Sequence, residues 1–151
     1  FHPVLLPGKN PQVPSLRTPW TTASLMTCGD CHNNDSGPGA GGAGPAGPHG
    51  SIYPPLLERT LSFADSAANA GNSALCYKCH NFVSSTWKDH VRHMGYTSCE
   101  NCHDPHGSPN AHLINFNPTV IGGGQSYKST GLGHGSCTLS CHGKDHNNAS
   151  Y

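Results

Sequence analysis

The sequence predicts a mostly irregular (coil) fold with a few short α-helices and at most a minor hairpin, and three observations predict it. Hydrophobic residues make up only 34% of the chain. Nineteen glycines and 13 prolines punctuate its 151 residues. Such a chain has too little apolar side chain to offset its conformational entropy through an ordinary core. The third observation is that all eight cysteines fall in tight pairs, each followed at once by histidine. The copies are Cys28-Gly-Asp-Cys31-His32, Cys76-Tyr-Lys-Cys79-His80, Cys99-Glu-Asn-Cys102-His103 and Cys137-Thr-Leu-Ser-Cys141-His142.

C-x-x-C-H is the attachment signature of c-type haem, in which the two thiols form thioethers to the porphyrin and the adjacent imidazole binds the iron. The first three copies fit it, and the fourth has one extra residue between its cysteines. The count implies four covalently bound haem c groups. Their thioether positions are Cys28, Cys31, Cys76, Cys79, Cys99, Cys102, Cys137 and Cys141. Their proximal iron ligands are His32, His80, His103 and His142. The haems supply the missing apolar mass, so the expected fold is a single domain wrapped around a stacked core of four c-type haems. Disulfides are the ordinary use of eight cysteines in a secreted chain. Here each pair would close only a tiny, strained loop. Zinc also uses C-x-x-C pairs, but it does not require the adjacent histidine four times over.

Along the chain, residues 1–23 carry Pro3, Pro7, Pro11, Pro14 and Pro19 and read as an extended, polyproline-like N-terminal arm. Residues 24–151 form the tetrahaem cytochrome domain. Within it, the Gly/Pro/Ala-rich stretch 36–50 is an irregular loop. Leu56, Leu57 and Leu61 are spaced for a short helix in 54–70, and 73–81 and 84–94 are stronger helix candidates. Residues 107–135 return to loop, with Ile114, Phe116, Val120 and Ile121 placed in one short hairpin. His-Gly-Ser recurs at His49, His106 and His134, twice behind a proline. Flanking Pro and Gly let a histidine project from a tight turn.

Twelve histidines are present, eight beyond the proximal four, against only two methionines, Met26 and Met94. All-histidine coordination is therefore expected, and it closes each iron to small ligands. His90 and His93 lie three apart in a helical stretch and share a face. The segment His90-Val-Arg-His93 ahead of Cys99–His103 resembles the cytochrome c3 group, which implies distal ligation of two separate haems. The string Cys102-His103-Asp104-Pro105-His106-Gly107-Ser108 is similar to the doubled-CXXCH family of multihaem cytochromes, which implies that His106 ligates a neighbouring haem. His49, in Gly47-Pro48-His49-Gly50-Ser51, echoes that string. The first-choice distal set is thus His49, His90, His93 and His106. His134, His146, His112 and His2 form a second tier, with His2 on the arm able to reach an iron in another subunit.

The formal net charge is zero, with no basic run to engage nucleic acid. No apolar stretch approaches the roughly 20 residues of a membrane span. The chain begins at Phe1, as expected of a processed, secreted form, extracellular or alternatively periplasmic. Closed irons favour electron conduction over catalysis; a multihaem reductase needs one open iron. The length, the four haems and the arm resemble extracellular cytochrome filaments, or nanowires. That resemblance implies identical subunits joined head to tail with continuous haems, serving redox proteins or extracellular acceptors. The alternative is a discrete periplasmic tetrahaem carrier. If the haems are the core, the haem-free chain is unfolded. Far-UV circular dichroism of haem-free protein should show coil, and a native-like spectrum overturns the expectation.

Overall fold

The computed structural model describes residues 1–4, 6–81, 88–131 and 133–150. They gather into two compact units, each carrying two of the four Cys/Cys/His motifs.

The first unit comprises His2–Ser62 and Ala68–Thr86. Its regular structure is slight: 3-10 turns at Cys28–Asp30 and Pro38–Ala40, and one helix, α1 (Ala74–Tyr77). The expected helix over 73–81 contracts to α1. The expected helix within 54–70 does not form. Pro54 and Pro55 lack donors and bias their neighbours away from helical backbone, and Leu56 instead takes a left-handed φ of 62°. Leu57 turns inward and is buried. The 36–50 loop is irregular as expected, yet tightly bonded around buried Asn34. Asn34 Nδ2 donates to the Pro45 carbonyl at 3.0 Å, and its Oδ1 accepts from Ser36 N and Oγ at 3.0 and 2.9 Å.

Glu58 is the polar centre of this unit, with a fully buried side chain. Lys78 Nζ lies 2.9 Å from its Oε1 and 3.1 Å from its Oε2, and Arg59 Nε lies 3.3 Å from Oε1. The same Lys78 ammonium donates to the Asp30 carbonyl at 2.7 Å. Lys78 sits inside the second motif and Asp30 inside the first, so one side chain ties the two motifs together.

The second unit comprises Phe1, Phe63–Ala67 and Trp87–Tyr151. It holds α2 (Lys88–Met94), 3-10 turns at Cys99–Asn101 and Ala111–Leu113, and three strands: β1 (Gly122–Gly131), β2 (His134–Cys141) and β3 (Lys144–Ser150). Residues 84–87 of the expected 84–94 helix lie outside the described residues. The strands form one antiparallel sheet in the order β1-β2-β3. Tyr127 pairs with Cys137, and Cys137 pairs with Ala149. The sheet exceeds the expected hairpin by a strand and begins just after the residues assigned to that hairpin, of which Ile114 and Ile121 are buried. These strands are glycine-rich and polar, so they carry little of the alternation that marks a strand. Gly123 is required in β1: its φ is 80°, and a Cβ there would lie 2.9 Å from Ser140 N. Among the described residues no helix is long and apolar enough to cross a membrane.

Removing one partner of a buried ion pair strands the other charge, at a cost of about 3–5 kcal/mol. Lys78→Met leaves Glu58 with Arg59 as its remaining cation and should therefore lower the unfolding free energy of the intact protein, with that cost as the ceiling, in a denaturant titration. An unchanged midpoint would remove the Glu58–Lys78 pair from the account of the unit's stability.

Candidate functional site

The three regular motifs are built alike. Each forms one helical turn in which the histidine N–H donates to the first cysteine's carbonyl: His32 to Cys28 at 2.7 Å, His80 to Cys76 at 3.0 Å, His103 to Cys99 at 3.0 Å. Residues i, i+3 and i+4 share one side of such a turn, so two thiols and an imidazole project together.

Each turn is then met by an antiparallel bridge from elsewhere in the chain. Leu57 pairs with His32, Leu16 with His80 and Ile114 with His103. The residue after each aliphatic partner donates to the second cysteine's carbonyl: Glu58 to Cys31 at 2.8 Å, Arg17 to Cys79 at 3.0 Å, Asn115 to Cys102 at 3.0 Å. The approaching segment also supplies a partner for the imidazole. His32 Nδ1 donates to the Pro55 carbonyl at 3.0 Å and His103 Nδ1 to the His112 carbonyl at 2.8 Å. A carbonyl oxygen only accepts, so in both rings Nδ1 carries a proton, which in the neutral imidazole leaves the lone pair on Nε2. That is the tautomer a metal-binding histidine needs, with its ring orientation fixed by the same bond. His80 Nδ1 meets the Ser15 hydroxyl at 2.9 Å. The donor set in all three turns fits iron ligation through Nε2.

The first and third copies share more. Ser51 Oγ donates to the Leu57 carbonyl at 2.5 Å, and Ser108 Oγ donates likewise to the Ile114 carbonyl. Tyr53 N donates back to Ser51 Oγ and Asn110 N to Ser108 Oγ, at 2.9 and 3.0 Å. Gly50 and Gly107 have φ of 156° and 151°, and Leu56 and Leu113 have φ of 62° and 59°. The repeated Pro-His-Gly-Ser is thus a turn anchored by its serine, with His49 and His106 exposed on it. His134 heads β2 instead and lacks that turn.

The fourth copy is different. Cys137 and Cys141 lie on β2, and His142, with φ of 51°, places Nε2 rather than Nδ1 against a partner, 3.3 Å from Asp65 Oδ1. Asp65 Oδ1 also accepts from Thr97 Oγ1 at 3.1 Å. The Tyr96 ring centre is 6.2 Å from that of His142. Burial raises the thiol pKa of Cys31, Cys137 and Cys141 and pushes Cys79 up to about 11 and Cys102 up to about 12.

Two further histidine pairs come together. The His90 and His103 ring centres are 6.0 Å apart with planes at 71°. The His93 and His146 ring centres are also 6.0 Å apart, with planes at 47°. The 6.0 Å between the His90 and His103 rings would leave room for one metal held by a nitrogen of each, at metal–nitrogen bonds of about 2.0–2.1 Å. Burial, then the neighbouring His103, His93 and His112, push the His90 pKa down to about 4, so its imidazole is neutral. His112 approaches His103 through its backbone carbonyl. His2, half-buried in the first unit, accepts from Val4 N through its carbonyl at 2.8 Å.

Four contributors escaped sequence reasoning: Ser15, Glu58, Lys78 and Asn101. Asn101, inside the third motif, is fully buried. Its Nδ2 donates to Thr97 Oγ1 and Ser98 Oγ at 2.9 and 3.1 Å, and its Oδ1 accepts from Asn117 Nδ2 at 3.0 Å.

Residues 92–121 match the doubled CXXCH motif family. The matched segment contains the third turn together with His93 and His106. It implies covalently bound haem c and a multihaem c-type cytochrome acting in electron transfer. Neither a curated protein nor a solved structure matches the chain.

An unsatisfied buried amide partner costs about 1–3 kcal/mol. Asn101→Ala should destabilise the holoprotein by that amount in denaturant unfolding, because buried Thr97 Oγ1 and Ser98 Oγ lose their donor and Asn117 Nδ2 its acceptor. A neutral substitution would show that Thr97, Ser98 and Asn117 hold the turn without it.

Proposed function

We propose that this chain conducts electrons through four c-type haems with histidine on both faces of each iron, as a subunit of an extracellular filament. The observation that carries the haem reading is the shared bridge at His32, His80 and His103, which presents the imidazole with Nδ1 engaged. Bound there, haem supplies one-electron exchange. The chain's own residues hold the iron ligands in one orientation and close the sixth positions.

His90 is the distal ligand for the iron of His103, given their ring separation. His93 and His146 are the next candidates, each for a different iron. His49 and His106 project from equivalent turns and are suited to irons beyond their own motifs. The Cys137–His142 copy takes the fourth haem, with His142 released from Asp65.

Support for the filament comes from the resemblance to cytochrome nanowires. The arm adds to it with exposed apolar side chains, Phe1, Val4 and Leu6. Contacts between unlike faces that do not close on themselves extend into fibres. The reading from another setting is a discrete periplasmic carrier with the same haems.

Intact mass of the native protein should show four haems per chain, and the ferrous form should bind no carbon monoxide. A single reactive haem would instead favour a reductase, with the divergent fourth copy the first place to look. Negative-stain images should show fibres; dispersed monomers at high concentration would favour the discrete carrier.

A further inference from the structure

The three bridged histidines are not equivalent. His32 and His103 face peptide carbonyls, whereas His80 faces the hydroxyl of Ser15, 65 residues away in sequence. The N-terminal arm brings it there. Leu16 bridges His80, Asn81 N donates to the Ser15 carbonyl at 2.5 Å, and Arg17 N donates to the Cys79 carbonyl at 3.0 Å. Arg17 Nη1 adds a bond to the Tyr77 carbonyl at 3.0 Å. Three hydrogen bonds from the arm, two of which make the Leu16–His80 bridge, thus clamp the second turn, and Ser15 is held half-buried against the ring.

We propose that Ser15 is a positioning residue for the second haem site and sets its potential apart from those at His32 and His103. The inference rests on haem binding at His80. With Nε2 on a metal, His80 Nδ1 carries the proton and Ser15 Oγ accepts it. An acceptor at Nδ1 draws the proton away from the ring and makes the imidazole a stronger donor to the metal. A stronger donor favours the oxidised metal and lowers the potential. A hydroxyl oxygen is a weaker acceptor than a peptide carbonyl, so this contribution is smaller at His80 than at the other two. The second site is therefore easier to reduce on this account. Because the acceptor is a side chain, this is the one bridge among the three whose imidazole partner can be changed without touching the backbone.

The test is a spectroelectrochemical titration of the intact holoprotein, with electron paramagnetic resonance of the oxidised form. Outer-shell partners of ligating histidines are worth 10–100-fold in metal affinity or activity. Ser15→Ala should shift one one-electron couple upward by about tenfold in its equilibrium constant, which is about 59 mV. It should alter one low-spin signal and leave the other couples in place. Ser15→Thr, which keeps the hydroxyl, should restore both. Unchanged couples in Ser15→Ala, a uniform shift of all of them, or failure of Ser15→Thr to restore the original values overturns the inference while leaving the haem reading intact. Absence of haem from the wild-type protein defeats that reading itself.

Discussion

The rest of the structure depends on holding an imidazole still. A Cys-x-x-Cys-His turn is five residues long, and its own hydrogen bonds fix the backbone but not the histidine ring. The missing constraint comes from outside the turn, as a short antiparallel bridge that pins the second cysteine's carbonyl and the ring nitrogen together. In a chain so rich in glycine and proline, these bridges are also where distant segments become joined. The arm is fastened through Leu16 and Arg17. The segment after the glycine-rich loop is fastened through Leu57 and Glu58. Local order and ligand order are the same set of contacts.

What could be read from the sequence follows from how far apart the participants lie. The four Cys/Cys/His motifs stand out because each is contiguous in the sequence. The low apolar content correctly announced a coil-dominated fold. The helix expected in 54–70 rested on leucine spacing, and Pro54 and Pro55 outweigh it because they remove donors and constrain their neighbours. The three-stranded sheet was hidden because Gly, Ser, Asn and Thr satisfy backbone pairing without an apolar stripe.

The partners of the sites were least legible. Ser15 and His80, or Lys78 and Asp30, are tens of residues apart and of unremarkable type, and nothing in a linear pattern connects them. His146 ranked below His106 on motif likeness, yet β3 carries it to His93 while His106 stays exposed on its turn. The Pro-His-Gly-Ser repeat was visible, but its serine proved the structural element. Each serine closes the turn onto the carbonyl of the bridging residue.

The first and third motifs close the same hydrogen bonds over very different lengths of chain. His32 and its acceptor Pro55 are 23 residues apart, whereas His103 and His112 are 9 apart. Loop-closure entropy grows only with the logarithm of length, so the difference costs roughly 0.8 kcal/mol. The scaffold thus divides the chain into clasps, where geometry is fixed, and spans, where length is free. The glycine-rich span between His32 and Pro48 is an elaboration of a frame that the third motif completes without it. Only the clasp residues are common to both motifs; the span is ordered separately, by its own bonds to Asn34.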